Sequence, residues 1–141
     1  MRRLSAVAVA LCLAASFAHA EGTREAVAHV QAAFSQGDAN SLRPVLSDDR
    51  KTYVSLKGLC RQEGHFGSSQ VYYIFAKVFA RHESVSARGE ARKPQGSTLH
   101  ARLDWRYTKS DSGEPGAAVI LMTFEKTEGG YVLVDIRSAA P

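Results

Sequence analysis

GHFGSSQVYYIFAKVFARHE, residues 64–83, carries start, face and stop signals of one helix. Val71, Ile74, Phe75, Val78 and His82 recur at i, i+3, i+4, i+7 and i+11, which is one face of an α-helix. Phe66 and Val71 are five apart, the spacing of a hydrophobic staple with Gly67 as N-cap, and Gln70 then occupies the third helical position. Arg81 and His82 end the segment with the charge sign that suits a helix C-terminus. Phe79 and Tyr72 widen the apolar side, and Tyr73 faces outward. A helix this apolar on one side needs a partner layer to cover it.

Upstream of it, residues 25–34 carry Val27, Val30 and Phe34 at helical spacing, with Thr23 as an N-cap and Gly37 as the stop. Asp38 can cap a second, short helix over DANSLRPVLSDD, whose Leu42, Val45 and Leu46 form a small apolar face and whose Pro44 limits it to a couple of turns. KTYVSLKG, residues 51–58, is β-favouring and ends in glycine, so it reads as a strand.

Downstream the period changes from 3.6 to 2. SVSARGEAR, STLHARLDWRYTK, AAVILMTFEK and YVLVDIRSA read as four strands separated by the turn-rich RKPQGS, SDSGEPG and TEGG. In the second, Leu99, Ala101, Leu103, Trp105 and Tyr107 alternate with His100, Arg102, Asp104, Arg106 and Thr108, so one face is buried and the other wet. In the last, Val132, Val134 and Ile136 alternate with Leu133, Asp135 and Arg137. The third is apolar on both faces, with Ala118, Ile120, Met122 and Phe124 on one and Ala117, Val119 and Leu121 on the other. Helices can cover one of those faces; a second subunit is a natural cover for the other.

The chain opens MRRLSAVAVALCLAASFAHAEGT, where two arginines precede an apolar run that closes on Ala18, His19 and Ala20. That order is a secretory signal peptide over residues 1–20, and the run is too short for a lasting membrane anchor. The protein is therefore expected to be exported, to the periplasm or the extracellular space, with residues 21–141 as one domain and no membrane attachment after cleavage. Cleavage removes Arg2 and Arg3 but no acid, so 18 basic and 14 acidic residues become 16 and 14, and the formal charge falls from +4 to +2. Without a concentrated Lys/Arg patch, nucleic acid is not an expected partner. Of the two cysteines Cys60 alone remains, so no disulfide can form within the domain. Its thiol is either buried and inert or free to pair between chains, and burial is the commoner fate.

Helix, short helix, strand, long helix and four antiparallel strands is an order that resembles the nuclear transport factor 2-like superfamily, also called cystatin-like or ketosteroid-isomerase-like. FSQGDANSLRPVLSDD, residues 34–49, looks like its segment in which a helix ends at Gly-Asp and a second runs to an acidic pair. FGSSQVYYIFAKVF is similar to the start of the long helix in a subgroup of small exported bacterial domains of unknown function, matched by Phe66, Ser68, Gln70, Val78 and Phe79. The resemblance implies an α+β fold: a strongly bent antiparallel sheet forming a cone around the long helix, with two further N-terminal helices, often dimeric and sometimes with a pocket at its open end.

The superfamily's steroid isomerases use a Tyr of the first helix and buried Asp residues. This first helix has no Tyr, and Asp104 and Asp135 fall on the polar face, so no catalytic residue carries over. His29, His65, His82 and His100 show no metal-ligand spacing, and Cys60 with His65 is a lone pair. GxGxxG, GxxxxGK[ST] and GxSxG are absent, so no cofactor and no metal is expected. The concrete functional idea is an apolar pocket built from Tyr53, Tyr72, Phe75, Phe79, His82, Trp105 and Tyr107, although the same residues are what a small core needs. The expected role is non-enzymatic, binding a small apolar ligand or a protein partner, with a homodimer through the sheet. The alternative is an acid-base isomerase, dehydratase or hydrolase using pocket groups such as Tyr53 and His82.

Overall fold

The structure, a computed structural model, describes residues 22–139. The signal peptide expected over residues 1–20 lies outside the described residues. Helix α1 covers residues 22–36, so Thr23 is a buried residue inside the helix and not the N-cap expected of it. The stop is as expected: Gly37 takes φ +64°, which costs glycine little, and lets the Asp38 amide donate to the Ala33 carbonyl.

The next segment, Ala39–Val45, is a 3-10 helix, capped by the Asp38 carboxylate, which accepts from the Asn40 amide at 2.9 Å. Ala39, Leu42 and Val45 are its buried residues. Their spacing of three matches three residues per turn, which is why the segment winds this way. Strand β1 is Thr52–Ser55, shorter than residues 51–58 because the chain turns at Gly58 with φ +84°.

Strand β2, Glu63–Phe66, has no counterpart among the strands that periodicity marks, and it contains His65. Glu, Gly and His carry little β preference. The segment is extended because it pairs antiparallel with β1, Tyr53 opposite His65. Helix α2, Ser68–Arg81, begins at Gly67, whose amide donates to Gln70 Oε1 at 3.0 Å. That is the side-chain half of a capping box; glycine has nothing to return. Val71, Ile74, Phe75, Val78 and Phe79 are its buried face, and Tyr73 is 64% exposed.

Strands β3 (His82–Ala91), β4 (Thr98–Lys109), β5 (Pro115–Thr127) and β6 (Gly130–Ala139) follow. The six strands form one sheet in the order β2-β1-β6-β5-β4-β3, antiparallel except where β1 runs parallel to β6. The sheet is therefore mixed.

The alternation expected in the last strand breaks at one place. Phe124 pairs with Leu133 and Thr123 with Asp135, so Val134 is an extra, bulged residue. Tyr131 and Leu133 face the core before the bulge and Ile136 after it. A bulge shifts the side-chain phase by one, and composition does not announce it.

The core lies between α2 and the concave face, with Phe34 of α1 at its centre. The Phe34 ring meets Phe75, Phe79 and Trp105 edge-on at centroid distances of 5.7, 5.2 and 5.0 Å. Gly89 of β3 lets α1 approach: its amide donates to Gln31 Oε1 at 2.7 Å, and a Cβ there would lie 2.9 Å from Val27.

Candidate functional site

The seven residues expected to line a pocket divide into three groups. Phe75, Phe79, His82, Trp105 and Tyr107 come together, all buried. Trp105 and Tyr107 rings are 4.7 Å apart, and the His82 ring stands edge-on to Tyr107 at 4.7 Å. Tyr72 sits away from them, half-buried under the Arg43 guanidinium, 4.8 Å from its ring centroid. Tyr53 is on the opposite face of the sheet, because Val54 takes the inward position in β1 and the pleat turns its neighbour out.

Phe75, Phe79 and Trp105 are spent on packing against Phe34, so the aromatic cluster is mainly core. His82 is its chemical end. The residue follows α2 directly, and its Nδ1 lies 2.7 Å from the Val78 carbonyl oxygen. A carbonyl can only accept, so Nδ1 carries the proton and donates. Nε2 is left without a hydrogen-bond partner among the described residues.

His82 also lines a cavity of about 640 Å³ at the C-terminal end of α2, with Leu59, Ala80, Arg81, Lys109, Ser110 and Asp111. The Ser110 amide donates to the Arg81 carbonyl at 2.9 Å, which fastens the β4–β5 turn to the helix end and forms one wall. A second cavity of about 420 Å³ adjoins it through Leu59 and Arg81 and is lined further by Cys60, Arg61, Gln62, Lys77 and Val78. Cys60 is half-buried, its Sγ 3.7 Å from the Gln62 carbonyl oxygen; burial pushes its thiol above the usual range, partly opposed by the backbone of Gln62. A raised thiol pKa makes a poor nucleophile.

The strand acids lie on the outer face as expected. Arg102 clasps Asp104 at 2.9 Å, and Arg137 holds Asp135 through Nε at 2.8 Å and Nη2 at 2.9 Å. Around the second pair is a polar cluster of residues distant in sequence. The Glu63 carboxylate accepts from Ser55 Oγ and Tyr53 Oη, both at 3.1 Å, and is held below its usual acidity range by those two bonds in that order. The bond to Glu63 raises the Tyr53 phenol, and Arg137 stacks on the Tyr53 ring at 4.5 Å. No sequence signal joins residues 53, 63 and 137; only strand order β2-β1-β6 does.

Among the described residues no group of three or more His, Cys, Asp or Glu side chains is placed to hold a metal ion. Nor is any described helix long and apolar enough to cross a membrane.

No protein-family model matches the chain, and no curated protein sequence matches it. Solved structures do. A DUF4783 family protein from Bacteroides ovatus is similar with TM-score 0.62 at 14% identity, over 81% of this chain and 94% of that one. A nuclear transport factor 2-like superfamily protein from Salmonella enterica gives TM-score 0.60 at 14% identity, over 86% and 92%. The fold is nuclear transport factor 2-like. A third similar structure, described as a putative isomerase from Bacillus subtilis, gives TM-score 0.67 at 14% identity, over 85% and 86%. At that identity these likenesses speak for the nuclear transport factor 2-like fold alone.

Proposed function

We propose that this nuclear transport factor 2-like domain is an exported, non-enzymatic binding protein whose small ligand enters the cavity at the C-terminal end of α2. The observation that carries the reading is the position of His82. It is 7% exposed, seated among Trp105 and Tyr107, and its unengaged Nε2 belongs to a residue lining about 640 Å³ of space. Ligand sites commonly combine apolar surface with a few fixed polar groups. Against catalysis by strand acids, Asp104 and Asp135 stand on the outer face, each tied to an arginine.

Native mass spectrometry on the purified protein tests this. The expected outcome is retained extra mass that denaturation releases. A turnover activity abolished by Asp104→Asn or Asp135→Asn would overturn the non-enzymatic reading.

His82 also supports a second reading, acid-base chemistry of the isomerase, dehydratase or hydrolase kind. A neutral imidazole fixed through Nδ1 presents Nε2 as a base. A pH-rate profile that loses one limb in His82→Gln would be its signature.

The outer face is proposed to take a second copy. Leu121 is 43% exposed there, set between Arg102 on β4 and Arg137 on β6 by the strand register.

A further inference from the structure

Three cations line the smaller cavity, Arg81 lining the larger one as well, and none has a carboxylate partner among the described residues. Lys77 and Arg81 lie four apart on α2, where like charges repel, and Arg61 reaches the same cavity from the β1–β2 connection. All three are exposed. Lys109 stands on the far side, 3.9 Å from Glu114, and Asp111 supplies the one carboxylate in the lining of either cavity. Arg81, in the last turn of α2, also suits the carbonyl end of the helix. That role accounts for one cation at a helix end, and leaves the surplus at Arg61 and Lys77 facing open space.

We infer that the ligand of this site is a small organic anion, its carboxylate between Lys77 and Arg81 and its apolar part on Leu59 and Ala80 towards His82. The inference rests on the binding reading above and adds the ligand's charge. Arginine and lysine are the side chains that recognise carboxylate, and the apolar remainder would cover the floor that Leu59 and Ala80 provide. Because the cations are exposed, the attraction is screened by salt, and that dependence is a signature an apolar ligand would lack.

The test uses hexanoate, hexan-1-ol and hexylamine, titrated separately into the purified protein while the His82 ring signals are followed by NMR. Hexanoate is expected to shift those signals and to bind at least about tenfold more weakly in the Lys77→Gln/Arg81→Gln double variant, a change of about 1.4 kcal/mol. Its binding is also expected to fall steeply at about 1 M salt, where the Debye length is ~3 Å. Hexan-1-ol binding as well as hexanoate, or a double variant that binds hexanoate unchanged, would overturn the anion and leave the cavity reading in place. Hexylamine binding best would overturn it too. No shift of the His82 signals with any of the three would remove the cavity reading along with it.

Discussion

Tyr107 and Gly116 face each other across β4 and β5, and a Cβ on the glycine would lie 2.3 Å from the tyrosine ring. The ring therefore lies directly on the Gly116 backbone, a position no other residue leaves open. Gly116→Ala is expected to destabilise the fold by about 1–3 kcal/mol through overpacking, read as a lower urea midpoint. Trp105→Ala should cost more, about 3–5 kcal/mol, because it opens a cavity between Phe34 and Phe79. In the sequence Gly116 reads as the end of a turn; what it accommodates is visible only once Tyr107 is opposite. Cys60 makes a second expectation at this scale. Its thiol pKa is raised by burial, so less thiolate exists at a given pH. Its reaction with a disulfide reagent at about pH 8 should be slower than that of an unfolded control, whose thiol pKa is about 8.5.

The β1–β2 hairpin is the element that sequence periodicity overlooked, and it carries the polar cluster of Tyr53, Ser55 and Glu63. Because the Glu63 pKa is lowered in the folded state, its contribution to stability is present above the ordinary carboxyl value of about 4.3. That contribution is lost as pH falls through the lower folded value. NMR titration should place the Glu63 midpoint below about 4.3, and Ser55→Ala with Tyr53→Phe should return it towards that value. A midpoint unmoved by both substitutions would mean the two hydroxyls are not the cause. By contrast α2 was readable to within a residue, from Gly67 as cap to Arg81 as last turn. Its signals are local: a staple, a cap and five apolar residues at one spacing.

For the whole molecule, a homodimer through the outer face is expected to survive at high protein concentration in light-scattering measurements and to dissociate in Leu121→Glu. A monomer at every concentration would remove it. The order of helices and strands apart from β2, the buried face of β4 and the outward placing of Asp104 and Asp135 could all be read from residues 22–139, because periods of 3.6 and 2 are set by local backbone geometry. The Val134 bulge, the parallel pairing of β1 with β6, the separation of Tyr53 from Trp105 and the meeting of Lys77, Arg81 and Arg61 could not. Each depends on which distant strands pair and in what register, and that is decided by the packing of the whole chain around Phe34 and α2 and not by the preferences of any segment.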